Sequence, residues 1–128
     1  MHANAELISR GYDAFAAGDL NAVAELFADD IVWTHTGDHV LAGEYHGKDA
    51  VFAYFGRLLE LTNFTFRQTV HAILADDEHV VVLTDSAWDS PREFNGHDVF
   101  VWHVRDGKAT HCWTIAGDQA ASNAALVP

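Results

Sequence analysis

From Ala3 to Ala17 the positions Leu7, Ile8, Gly11, Tyr12 and Phe15 recur at helical spacing and form one apolar stripe. Gly18 is a stop signal, and Asp19 can cap a second helix over Leu20 to Phe27. Its inward positions are Leu20, Val23, Ala24, Leu26 and Phe27. Asp29 and Asp30 then break the period. Ile31, Trp33 and His35 alternate with Val32 and Thr34, as a half-buried strand does, which puts His35 on the Trp33 face. Gly37, Gly43 and Gly47 punctuate Thr36 to Gly47, a segment that reads as a loop. A third helix follows, with Ala50, Val51, Tyr54, Phe55, Leu58 and Leu59 on one face.

Beyond Asn63 the period falls to two. Phe64 to Ala75, His79 to Trp88, His97 to Arg105 and Lys108 to Ala116 are rich in β-branched and aromatic residues and predict four strands. Asp76-Asp77-Glu78, Ser90 to Gly96 and Asp106-Gly107 supply the turns, short enough to make neighbours antiparallel. Asp118 can cap a short last helix through Ala125. Three helices followed by a meander predict an α+β fold: a cone-shaped roll of a curved antiparallel sheet, with the three helices of the N-terminal half packed on its concave side. Such a roll encloses a pocket. Its other face carries Val81, Leu83, Val99 and Val101 and calls for a partner, expected to be a second copy in a homodimer.

Length and charge narrow the function classes. The 128 residues suit one domain, 1–128, that buries roughly two thirds of its unfolded surface. A formal charge of -12, with seven scattered Lys and Arg, disfavours nucleic acid and anionic membranes. Cys112 is the only cysteine, so no disulfide closes within the chain. The first residues lack a signal-peptide pattern and no apolar run approaches the roughly 20 residues of a membrane span, so the expected location is cytoplasmic.

Particular words give the chain a likeness. Tyr12 to Phe27, reading YDAFAAGDLNAVAELF and followed by Ala28-Asp29-Asp30, resembles the opening of the SnoaL-like branch of the nuclear transport factor two superfamily. Leu41 to Val51, LAGEYHGKDAV, resembles the segment leading into that family's third helix. Leu74 to Val81 and Val104 to Lys108 resemble its strand turns. The resemblance spans nearly the whole chain and implies the same fold. It implies less about activity, because the superfamily includes ketosteroid isomerases, polyketide cyclases, dehydratases, epoxide hydrolases and non-catalytic binding modules. A ketosteroid isomerase needs a base carboxylate on the first strand, with a tyrosine and a protonated aspartic acid that stabilise the enolate. Alignment puts His35 in the base's place, Tyr12 one residue from the tyrosine's and Asp98 two from the aspartic acid's. None of the roles transfers intact, so a literal ketosteroid isomerase is rejected.

Four residues are the catalytic candidates: His35, Asp98, Tyr12 and His71. A neutral imidazole at His35 can move a proton near pH 7, although a buried histidine bonded to the loop before Gly43 would leave the same trace. Asp98, read as opening a strand of Val99, Phe100, Val101 and Trp102, meets an apolar rim that raises its pKa, unless it only caps the turn after Asn95-Gly96. Tyr12 points a hydroxyl inward or is plain core. His71 is expected on the face of Ile73, which lines the family's cavity, where it orients a carbonyl or partners Asp98. The alternative is a histidine satisfied within the sheet. Trp33, Tyr54, Phe55, Trp88, Phe100, Trp102 and Thr114 are expected to line the pocket. Thr114 faces inward if Arg105-Asp106-Gly107 is a three-residue loop, the register the resemblance favours. A two-residue Asp106-Gly107 turn would place Ile115 beside Asp98 instead.

The remaining chemistry is weaker. His35, His39 and His46 are separated by loop glycines rather than set on one helical face, so no metal is expected. Cys112 has no evident activating base, no phosphate loop is present, and no cofactor is implied. The sequence therefore predicts a small-molecule-binding protein. The leading reading is a cofactor-independent isomerase, cyclase or dehydratase on a small apolar or polycyclic carbonyl compound, with His35 moving the proton and Asp98 steadying the enolate. The other reading is a non-catalytic ligand-binding or dimerisation module. An epoxide hydrolase would need an Asp–Arg–Asp set that Arg67, Arg92 and Arg105 do not evidently supply.

Overall fold

The computed structural model describes residues 1–127. Helix α1, Ala3–Ala16, buries Ala5, Leu7 and Ile8. It ends before Gly18, whose φ of +75° a side chain would strain. Asp19 then caps α2, Leu20–Leu26, by accepting from the amide of Ala22 at 3.1 Å. Phe27, expected as the last helical residue, is extended and opens β1, Phe27–His35. The segment read as a loop holds a short strand, β2, Gly43–His46, paired antiparallel to β1 from Val32↔His46 to His35↔Gly43. With one apolar residue, Tyr45, it has no alternation of its own. Its existence rests on that pairing.

The rest follows the sequence order: α3, Lys48–Leu61; β3, Arg67–Ala75; β4, His79–Trp88; β5, Phe94–Arg105; β6, Lys108–Ala116; and α4, Gln119–Leu126. Asp118 caps α4 through the amide of Ala121 at 3.0 Å. The strands form one curved sheet in the order β2-β1-β6-β5-β4-β3. Every pairing is antiparallel except β1 with β6, which is parallel and joins the N-terminal half to the meander. Helix α1 packs on β3 and β4, α3 on β1 and β2, and α4 on β5 and β6.

The register shifts between Phe27 and Val32 in β1, between His103 and Val104 and between Val70 and Ala72, and the last two set the facing of candidate site residues. At the last hairpin Arg105 pairs with Lys108, so the turn has two residues, Asp106 and Gly107, with φ +52° and +74°. Both positive angles match the twist of a tight hairpin. A bulge between His103 and Val104 then restores the parity that this turn would have reversed. Thr114 faces inward as expected, but it pairs with Phe100, and Asp98 pairs with Ala116. The three-residue loop is thus corrected to a shorter turn plus a bulge.

A further bulge lies in β3. Val70 pairs with Thr84 and Ala72 with Leu83, leaving His71 as the extra residue. Gln68 and Val70 are part-buried before it, Ile73 and Ala75 after it, and His71 itself is exposed. The expectation that His71 shares the face of Ile73 assumed unbroken alternation. One inserted residue reverses it.

The inward face of the sheet and the helices enclose a ring-rich core. Trp33 packs against Phe27, Tyr54, Phe55, Phe100 and Trp102, with its indole perpendicular to Trp102 at 5.1 Å between centroids. Burying rings of this size contributes about 1.5–3 kcal/mol each. Among the described residues no helix is long and apolar enough to cross a membrane.

Candidate active site

The mouth of the roll keeps a cavity between the inner face of the sheet and helices α1 to α4. Aromatic walls dominate it: Trp33, Tyr54, Phe55, Trp88, Phe100 and Trp102, with Thr114 among them. His35, Tyr12 and Asp98 line the same space. The room open to water-sized solvent is about 90 Å³, small beside the roughly 300–1,000 Å³ of pockets that enclose drug-sized ligands.

His35 closes β1 and is 8% exposed. Its Nδ1 lies 2.8 Å from the Tyr54 hydroxyl on α3. Burial, assisted by the neighbouring His39, pushes the imidazole down to about 4, so it is neutral at pH 7. His39 is tied on both sides: Nε2 donates to the carbonyl of Thr36 at 2.9 Å, and Nδ1 accepts from the amide of Leu41 at 3.2 Å. Its ring stands edge-on to His35 at 4.3 Å. The partner of His35 is therefore a helix phenol rather than the loop backbone. Tyr54 in turn is pushed above the ordinary phenol range by its burial.

Asp98 lies four residues inside β5, not at its start, because the strand begins at Phe94. The inward register of β4 supplies its partner: Ser86 donates to Oδ2 at 2.5 Å. No bond to Oδ1 is found among the described residues. Burial raises the carboxyl above its usual range, against the opposing effects of the Ser86 hydrogen bond and the His97 charge. Tyr12 is raised as well, by burial first, with the Asp98 charge contributing. Its oxygen accepts from the Trp102 indole at 3.2 Å, which leaves the phenol proton free to donate elsewhere. Thr114 is occupied, accepting from the Trp33 indole at 2.9 Å.

Sheet geometry sets the spacing of these groups. His35 pairs with Thr114, and Thr114 with Phe100, so β6 separates His35 from β5. Asp98 lies one inward step further along. The backbones carrying imidazole and carboxyl are therefore on the order of 12 Å apart. They flank the cavity rather than bonding to each other. His71, by contrast, is on the outer face, bonded to Asp85 at 2.6 Å. It neither lines the cavity nor partners Asp98, because the β3 bulge turns it away.

Sequence reasoning took Tyr54 as a wall and passed over Ser86. A signal for Ser86 existed: Val80, Val82, Thr84, Ser86 and Trp88 form one buried register, polar at two of five positions. Cys112 is fully buried and its thiol is raised by that burial, away from nucleophilic use.

The family model for the SnoaL-like domain matches residues 8–112. An uncharacterized protein of Mycobacterium tuberculosis strain H37Rv is 28% identical over 122 residues, covering 94% of this chain and 93% of that protein. Among solved structures, Bal32a from a soil-derived mobile gene cassette superposes with a TM-score of 0.91 at 27% identity, over 97% of this chain and 96% of that one. A nuclear transport factor two-like protein of unknown function from Burkholderia pseudomallei K96243 superposes at 0.83 and 25% identity, over the full length of both.

Proposed function

Since the chain belongs to the SnoaL-like domain family, we propose that it is a cofactor-independent acid–base enzyme that enolises a small, mostly apolar carbonyl compound. Isomerisation, aldol-type cyclisation and dehydration share that first step. One observation carries the reading: a neutral imidazole and a raised carboxyl line a single apolar cavity from opposite sides. The electrostatics favour roles opposite to those the sequence suggested. Burial strengthens the Asp98 carboxylate as a base and weakens the His35 imidazole as one, so Asp98 Oδ1 takes the proton from the carbon next to the carbonyl. The electron pair moves to the carbonyl oxygen. Tyr12 donates to that oxygen, oriented by the Trp102 indole, and His35 donates from Nε2 when the Tyr54 hydroxyl donates to Nδ1. The cavity volume favours the small end of the expected substrates.

Solvent-deuterium incorporation into small cyclic and aryl ketones tests this directly, read by mass spectrometry. Asp98→Asn should slow exchange by about 10²-fold or more, with the fold intact by circular dichroism. Exchange at the wild-type rate in Asp98→Asn would remove the mechanism. The small, ring-filled cavity supports a second reading, a non-catalytic binding module. In that case ketones or phenols bind with no exchange in the wild type. The outer stripe of Val81, Leu83, Val99, Val101 and Ile115, with Leu83 and Ile115 exposed, supports a homodimer. Sedimentation should give twice 14.1 kDa, and Leu83→Asp should return it to that value.

A further inference from the structure

The outer face carries a group of side chains that the cavity chemistry does not use. His71 stands at the β3 bulge, Asp85 on β4 and His97 opposite Asp85 on β5. Asp85 Oδ2 accepts from His71 Nε2 at 2.6 Å, and Oδ1 accepts from His97 Nδ1. One ligand atom from each of the three lies within 4.8 Å of the others. The side chains are reachable from solvent, at 51% exposure for His71, 34% for Asp85 and 85% for His97.

We propose that His71, Asp85 and His97 form a binding site for one divalent transition-metal ion, zinc among the common ions. Two imidazoles and a carboxylate suit zinc, cobalt or nickel, whereas calcium and magnesium prefer all-oxygen sets. Three protein ligands leave at least one position for water. The change of state is small. Tetrahedral ligands at roughly 2.0–2.1 Å from zinc are about 3.3 Å apart, so each imidazole backs off the carboxylate by under ~1 Å. The two rings have centroids 6.5 Å apart and are inclined at 49°, and their ligand nitrogens, within 4.8 Å of each other, close by at most roughly 1.5 Å to reach that spacing. The bulge that ejects His71 from the cavity is what brings it over Asp85. A charge of -12 further favours a cation on this surface.

Titration of tag-free full-length protein with zinc alone, at neutral pH, should show one site per chain. Cobalt should produce the visible absorption of a low-coordinate ion, and magnesium should give no response. His97→Ala and Asp85→Asn should each weaken zinc by about 10-fold or more, while His79→Ala with His103→Ala on the same face should not. Affinity should fall in acid as protons compete for the imidazoles. If either variant misfolds, nitrogen-15 imidazole spectra of the wild type decide instead: zinc should move the resonances of His71 Nε2 and His97 Nδ1. No uptake at submillimolar zinc would overturn the proposal. So would uptake indifferent to both variants, or shifts confined to other histidines.

Discussion

His97 and Asp98 are consecutive residues on one strand, and they live under opposite electrostatics. Asp98 faces inward among rings, where burial raises its carboxyl and one serine hydroxyl opposes that. Across the cavity the buried imidazole of His35 is pushed down to about 4. On the outer side, His97 meets Asp85 together with His71. Desolvation pulls the Asp85 carboxyl up, but hydrogen bonds from His71 and His97 outweigh it and hold it below the usual range. The inner face thus penalises charge, whereas on the outer face hydrogen bonds favour the ionised Asp85 carboxylate. Facing alone separates them, and facing is set by strand parity.

The sharpest way to break this contrast is to reverse the parity. Thr110 is the extra residue of the β6 bulge. Deleting it should turn Cys112 and Thr114 outward and bring Trp113 in, at a cost above about 4–5 kcal/mol. Urea denaturation would read this as loss of a cooperative transition; a near-normal midpoint would show that facing is not held by parity. Next in size, Trp33→Ala should cost ~3–5 kcal/mol by the same measurement, whereas His97→Ala on the outer face should stay within ~0.5 kcal/mol.

A third test uses pH. Unfolded His35 binds a proton near 6.5 and folded His35 only near 4, so between those values the unfolded chain holds more protons. Stability should therefore be full above pH 6.5 and fall as pH drops towards 4, by about 3 kcal/mol in all. His35→Asn should flatten that fall. Asp98 has the opposite sign: its folded carboxyl takes a proton at higher pH than the unfolded one, so this residue adds stability on acidification. Asp98→Asn should steepen the acid loss, and chemical denaturation across pH 4–7 would separate the two.

Much of the frame was legible because its signals are local. The runs His79–Trp88 and Lys108–Ala116 stand where alternation and turn residues put them, and Asp19 and Asp118 cap the helices that follow. Strand β2 was not legible, having neither length nor alternation. Nor was the facing of His71, since nothing in Val70-His71-Ala72 distinguishes a bulge from a regular strand. The identity of partners was hidden too. Tyr54 stands at His35 and Ser86 at Asp98 because distant elements meet there, 19 and 12 residues apart in the chain.

By itself the sequence determined the helices, the hairpin meander, an apolar inner register and a family resemblance, since periodicity and caps act over a few residues. Tertiary structure alone decided the parallel joint of β1 to β6, the bulges in β3 and β6 and hence which titratable groups enter the cavity. Those outcomes depend on strand pairing across the sheet, where one unpaired residue changes every facing beyond it.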